Sequence, residues 1–578
     1  MSYAGMCELN KGENSDFQKI IRAKMSPQQA LCSRTEPDDD GAPRRVPNCP
    51  HYPGGSKPTC KFWEQVKEPP AVWGLASASL QYRSSLRFSH RNGLQVNPRA
   101  TFIDESFWKG SMGNVELCFE HQIDGLPDHY STSRDGALIR RSTSPNDLNR
   151  NETLRLWAQI RTLVNTDNLG PFSQRTIMAT LGDNARLGDQ TAYVAARLDV
   201  AIEYHRERSR RSIPSHTFGD KLDEAADICK SLSEHITRLE ILREIKRTIV
   251  ELKDRASGRL FIESRYCSLQ RERCPAIAFY PFRSASSCWT AKAAVTVLDA
   301  YPPAARVQSS VLGRAVECGL DLRVEDAKNV SVTLVKNAPN RKYQLASTAN
   351  GSLPQHFHDI LNAVRIFTAT RAHQGRVLWI PQKSMIDRIW PEKSRLSGVN
   401  RPIILPSNLD IETAGRIAGR NDWKNHHALI ITANMNPGVD ALEHQAGVLS
   451  GEYVSPIQRK TNGNVSIPLS KVGQPLKDGT FVAMDKPNHP NALVNELADQ
   501  HIVGNLIQQI GRLRPIRRGD TPAEIVVLTD WALPRPVDAV VDWNDFNLER
   551  RGPLLLKGGF STSQEDQLKI SGTKQDIS

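Results

Sequence analysis

Val330-Ser-Val-Thr-Leu-Val335, Val377-Leu-Trp-Ile380, Ala428-Leu-Ile-Ile-Thr432 and Ile525-Val-Val-Leu528 are short apolar runs in the second half of the chain. Each reads as a strand, as do Leu260–Ile262 and Val295–Leu298, and helical sequence separates several of them. Strands alternating with helices predict a mostly parallel, helix-flanked sheet, so the expected fold class is α/β.

Upstream of these runs the pattern is helical, over roughly 150–257. Ala225, Cys229, Leu232, Ile236, Leu239, Leu242, Ile245, Ile249 and Leu252 fall three or four apart, an apolar stripe along one long helix. Pro214 and Gly219 interrupt the block and set off an earlier helix around Thr191–Arg208, which predicts an antiparallel helical pair. From Ala71 to Lys109, short apolar pieces suggest part of an α/β layer. Residues 33–70 are crowded with Pro and Gly and carry Asp38-Asp39-Asp40, so little regular structure is expected there. The polar tail from about Gly558 to Ser578 reads as disordered.

Composition narrows the function classes. The chain has 578 residues, enough at roughly 100–200 residues per domain for about three domains. No run approaches the ~18 uninterrupted apolar positions of a membrane helix. Met1–Lys24 lacks an apolar signal core, and ten cysteines are too sparse for a disulfide scaffold. A soluble, cytoplasmic protein is expected, with no membrane partner. Lys and Arg exceed Asp and Glu by twelve, which suits a polyanion such as DNA, although many basic proteins bind none.

Three segments carry possible chemistry. Ala100-Thr-Phe-Ile-Asp104-Glu105 is an apolar run ending in two acids. At the carboxyl end of a strand, Asp104 could hold Mg²⁺ and Glu105 could polarise an attacking water. Gln508-Gln509-Ile510-Gly511-Arg512-Leu513-Arg514-Pro515-Ile516-Arg517-Arg518 follows a helical start with four arginines in seven residues. Gly511 would permit close backbone approach, and the arginines could stabilise charge on a transferring phosphoryl group. A solvated basic helix or a DNA-phosphate patch is the other reading. Cys7, Cys32, Cys49 and Cys60 could hold a [4Fe–4S] cluster or a zinc ion, or be unligated thiols. Cys229 and Cys318 read as small core residues.

The order of these segments resembles the XPD/DinG-like iron–sulfur helicases of superfamily two, and among them the large helicase-like proteins of bacterial plasmids, prophages and integrative elements. Cys49–Cys60 with Phe62-Trp63-Glu64-Gln65 is similar to that group's last two cluster cysteines. Asp104-Glu105-Ser106-Phe107-Trp108 looks like its motif II, Val297-Leu298-Asp299-Ala300 its motif III, Val377–Lys383 its motif IV, Gly419–Lys424 its motif V region, and Gln508–Arg518 its motif VI.

The resemblance implies two RecA-like units carrying a cysteine-rich insert and an arch-like helical insert. The implied domains are 1–70 (cluster insert), 71–149 (first RecA-like unit with motif II), 150–257 (arch), 258–365 (return to the first unit), 366–557 (second unit with motif VI) and 558–578 (tail). It also implies catalytic roles for Asp104, Glu105, Gln508, Arg512 and Arg514, with Gly511 at the nucleotide, and cluster ligation by the four cysteines. Three departures stand out. Tyr301 replaces the motif III threonine, Arg514 follows Arg512 by two positions rather than three with Pro515 in the usual arginine place, and no G-x-x-x-x-G-K-[ST] loop exists to cradle ATP. The expectation is therefore the C-terminal portion of a mobile-element DNA helicase. ATP and Mg²⁺ would be used only when another polypeptide supplies the phosphate-binding loop. The alternative is a non-enzymatic DNA-binding fragment or a decayed remnant.

Overall fold

A computed structural model of the chain describes residues 33–37, 43–47, 80, 100–104, 107–123, 126–127, 130–132, 138–140, 147–182, 189–209, 221–285, 294–299, 301–319, 326–341, 344–345, 353–389, 405–417, 420–433, 435–459 and 465–547. They fall into two compact units. One runs up to Val297 and includes Arg306–Ala315 and His444–Ser455; the other holds Leu298–Ala305, Val316–Glu443 and the chain from Pro456. The tail 558–578 lies outside the described residues.

The first unit sets helices against an antiparallel sheet. Strand β1 (Ala100–Asp104) pairs with a strand at Ala294–Leu298. A separate four-stranded sheet contains β2 (Glu116–Phe119), β3 (Gly170–Pro171), β4 (Leu260–Cys267) and β5 (Glu272–Phe279), in the order β2-β5-β4-β3. Every pairing in it is antiparallel. The Leu260–Ile262 run is thus the base of a long hairpin rather than part of a parallel layer. Two neighbouring segments, Ser33–Pro37 and Pro43–Pro47, also pair antiparallel within the stretch expected to be irregular. Closing so short a loop costs little entropy.

Four helices pack on this sheet: α1 (Leu148–Leu163), α2 (Gln174–Leu181), α3 (Gln190–Ser209) and α4 (Lys221–Arg247). Asp147 caps α1 by accepting the Arg150 N–H at 3.1 Å, and Ser173 caps α2 through the Thr176 N–H at 3.2 Å. Lys246 meets Asp199 while His235 meets His205, so α3 and α4 run antiparallel, as the sequence predicts. The apolar stripe holds at Leu239, Leu242, Ile245, Ile249 and Leu252, all buried. It fails at Ile236, which is 43% exposed, while Ser231, His235 and Arg238 are buried in its place. Polar neighbours on α3 draw that turn of α4 inward.

The second unit is built on a six-stranded sheet in which every pair is parallel. Its strands are β6 (Val330–Lys336), β7 (Val377–Ile380), β8 (Leu409–Ile411), β9 (Ala428–Ile431), β10 (Ala523–Leu528) and β11 (Ala539–Asp542). They lie in the order β8-β7-β9-β10-β6-β11. All residues of β7 and β9 are buried, which is why both read as unbroken apolar runs. Helix α5 (Gln355–Ala369) covers them through Phe357, Ile360, Val364 and Phe367. The crossovers diverge between adjacent strands: the chain leaves β7 toward β8, and leaves β9 toward β10. The connection into β10 passes through a hairpin of Leu469–Pro475 with Phe481–Pro487, helix α6 (Ala492–Asp499), a π turn at Gln500–Gly504 and helix α7 (Asn505–Ile510).

The mixed α/β class agrees with the sequence reading, and no helix among the described residues is long and apolar enough to cross a membrane.

Candidate functional site

Charge concentrates at the amino ends of β7, β9 and β10. Arg376, just before β7, grips Asp410 with two nitrogens, one bond measuring 2.6 Å. The second oxygen-sharing partner is His426, whose Nε2 lies 2.5 Å from Asp410 Oδ2. The hydrogen bonds from Arg376 hold the Asp410 carboxyl below its ordinary range. Burial outweighs the attraction of Asp410 and pushes the His426 imidazole down. Arg371 forms a two-pronged pair with Glu524 at the start of β10, at 2.5 and 2.7 Å. Arg420 pairs with Asp422, contacts Glu412 at 3.3 Å and lies over the Trp423 ring. These cations are matched by anions.

The segment after α7 is not. A 3₁₀ turn at Gly511–Leu513 leads to Arg514, whose φ of 53° places it in the left-handed region that a side chain with a Cβ disfavours. A second 3₁₀ turn, Pro515–Arg517, follows. Arg512 reaches the Arg420 carbonyl at 3.5 Å, Arg514 donates to the Asn421 side-chain oxygen, and Arg518 donates to the carbonyls of Leu513 (2.9 Å) and His426. Burial pushes the Arg518 guanidinium down from its usual value. Among the described residues, no carboxylate lies within ion-pair distance of Arg512, Arg514, Arg517 or Arg518.

Beneath them, Gln509 is 2% exposed and neither atom of its amide has a partner; Arg512 is 9% exposed and its Nε has none. Buried polar atoms of this kind cost roughly 1–3 kcal/mol each when unmatched. Four such guanidinium groups can neutralise an anion of several charges, such as a phosphate chain.

A doubly wound sheet accepts ligands outside its carboxyl ends where crossovers diverge, here between β7 and β9. Gln382, just past the end of β7, donates to the Asn340 carbonyl at 2.5 Å. Trp379 donates to Thr432 Oγ1 at 2.9 Å, and Asn340 donates to the Leu528 carbonyl at 2.8 Å.

The structure therefore joins the segments likened to motifs V and VI, through Arg420–Asn421 and Arg512–Arg514. The motif III segment also reaches the helical connection that carries motif VI: Gln500 donates to the carbonyls of Tyr301 (3.2 Å) and Pro302 (2.9 Å). Tyr301 packs on Gly504, where a Cβ would stand 3.3 Å from its ring, and burial raises its hydroxyl pKa to about 12. Gly511 has ordinary helical backbone and nothing within 4 Å of an added Cβ, so the close approach expected there is not used within this chain.

Asp104 ends strand β1; Glu105 and the quartet Cys7, Cys32, Cys49 and Cys60 lie outside the described residues. Cys318 is exposed, contrary to its reading as a core residue; Cys118, Cys267 and Cys274 are buried instead. Burial raises the Cys118 thiol to about 11, which marks it as an inert packing group. Among the described residues, no group of three or more His, Cys, Asp and Glu could hold a metal ion.

A second polar cluster was not visible in the sequence. In the first unit the Trp157 indole N–H donates to His205 Nε2 at 3.0 Å, and His205 Nδ1 lies 2.9 Å from His235 Nδ1. Both imidazoles are fully buried.

No protein-family model matches the chain, and no curated protein matches it in sequence.

Proposed function

We propose that this chain is part of an ATP-dependent DNA helicase. Its second unit acts as a RecA-like body that presents Arg512 and Arg514 to a nucleoside triphosphate held elsewhere. The observation that carries the reading is that Arg512, Arg514, Arg517 and Arg518 lack carboxylate partners among the described residues, while the Gln509 amide and Arg512 Nε nearby in the chain are buried and unmatched. Position supports it as well. The arginines stand at the amino ends of the strands, opposite the end where such a sheet holds its own ligand, so they suit a phosphate chain carried by another body, as an arginine finger does. The all-parallel order, third-second-fourth-fifth-first-sixth along the chain, is compatible with a RecA-like unit.

The rest follows the resemblance. Asp104 and Glu105 would serve the magnesium ion and water, Gln508 would line the same turn as Arg512, and the cysteine quartet would hold an iron–sulfur cluster or zinc. The excess of twelve positive charges suits DNA. These 578 residues contain no G-x-x-x-x-G-K-[ST] loop, so hydrolysis would require such a loop from outside them. The same missing loop favours one alternative, a DNA-binding role without hydrolysis.

Two measurements on the pure full chain test this reading. No Mg²⁺-dependent ATP hydrolysis is expected, and tripolyphosphate should bind in wild type but not in Arg512→Met. Robust ATPase activity would overturn the requirement for a partner; indifference to tripolyphosphate would overturn the arginine assignment.

A further inference from the structure

The outer end of the β4–β5 hairpin is bare on one face only, since Cys267 and Cys274 on the other face are buried. Side chains alternate between its faces, so Leu260 and Ile262, with Phe279 and Ile277 opposite, share one face and are buried against the helices. Four residues further out on that face comes Tyr266, about 13 Å past Ile262 at ~3.3 Å per residue. Nothing covers it there: Tyr266 is 63% exposed. Its cross-strand partner is Arg273, also exposed, and the turn beyond presents Leu269, 78% exposed, and Arg271 in left-handed backbone. Arg273 spends one nitrogen on the Ser264 carbonyl at 3.2 Å, and neither arginine has a carboxylate partner among the described residues. The hairpin's other arginine, Arg265, is committed to Glu263 and to the Tyr280 hydroxyl.

An exposed aromatic ring, with one arginine opposite it across the strands and another in the turn, has the chemistry of a single-strand platform: the ring stacks a base while the cations take the adjoining phosphates. We propose that the bare face at the outer end of this hairpin binds single-stranded nucleic acid, with Tyr266 stacking on a base and Arg271 and Arg273 contacting the backbone. The inference rests on the nucleic-acid half of the function proposed above, and adds a contact surface in the other unit. The charge favours this occupant over a second apolar surface, since two like charges beside the ring would be stranded against an uncharged partner.

The test uses the full chain and a fluorescent oligothymidylate of about 20 nucleotides, followed by anisotropy across a salt series. Tyr266→Ala should weaken binding roughly tenfold, whereas Tyr266→Phe should stay within about twofold, since stacking needs the ring alone. Arg271→Gln with Arg273→Gln should flatten the slope of log affinity against log salt by about 1.4, at ~0.7 per single-strand phosphate contact. Thermal melts should be unchanged in all variants, because these side chains are exposed. Wild-type binding with no response in the variants overturns the hairpin assignment and leaves the helicase reading standing. Failure of wild type to bind overturns the nucleic-acid reading itself. Self-association that disappears in Tyr266→Ala identifies the tip as an interface between copies and refutes the platform.

Discussion

The two units each bury a polar cluster, and the clusters differ in one respect. In the helical unit a relay of donor and acceptor runs from Trp157 through His205 to His235, although Nη1 of neighbouring Arg238 is buried without a hydrogen-bond partner. The indole of Trp157 can only donate, so His205 Nε2 must accept; His205 then carries its proton on Nδ1 and donates it to His235. At the amino ends of the parallel sheet, Arg512, Arg514 and Arg518 have only carbonyl and amide oxygens as partners among the described residues. The first arrangement spends its hydrogen-bonding capacity on holding helices together. The second keeps capacity in reserve at a cost in stability, which is the trade expected of a site that awaits a ligand.

If that contrast is right, removing a member of each cluster should have effects of different size and opposite sign. His205→Ala leaves a cavity and strands the Trp157 N–H in the core, so the first unit should lose about 3 kcal/mol. Denaturant melts followed by tryptophan fluorescence measure this, and a loss under ~1 kcal/mol would contradict the closed network.

A smaller effect should come from acid. Burial, helped by His235, Arg238 and Arg208, lowers the His205 pKa well below its usual 6.5. Tyr204, whose hydroxyl pKa burial raises, packs edge-on against the same ring. The unfolded chain therefore takes up a proton near pH 6.5 that the folded chain refuses. The stability contributed by neutral His205 is complete above that pH and declines as the pH falls below it. A melt series from pH 7.5 to 5 should show the decline in wild type and lose this component in His205→Ala.

The sequence exposes these regions unequally. The strands of the parallel sheet are legible because burial on both faces writes each of them as a continuous apolar run. Helices α3 and α4 are legible from spacing alone. The hairpin strand Glu272–Phe279 is hidden because Arg273, Cys274 and Pro275 break the alternation a strand should show. The histidine pair is hidden because His205 and His235, thirty residues apart, each look like solvent-facing polar residues on a helix. The arginine run is plain in the sequence, but its lack of anions is not. Asp410, Asp422 and Glu524 all lie in the same part of the fold, and only the structure shows each of them already taken by Arg376, Arg420 or Arg371.

That last fact gives the smallest and sharpest test of the comparison. Replacing a buried cation that lacks an anion by an apolar side chain of similar length removes a desolvation cost and breaks no ion pair. Arg512→Met should therefore leave the second unit's stability unchanged or raise it by up to about 1 kcal/mol, the reverse of His205→Ala. Tripolyphosphate at ten times its dissociation constant should stabilise wild type by about 1.4 kcal/mol through binding to the folded state alone, and should leave the Arg512→Met melting curve where it was. The helical unit does not carry the Arg512–Arg518 run, so its transition should not respond to the anion in either protein. A shift of both transitions together would mean nonspecific screening of a basic chain. A destabilised Arg512→Met would mean that the arginine serves the fold, and the distinction between a closed and an open cluster would collapse.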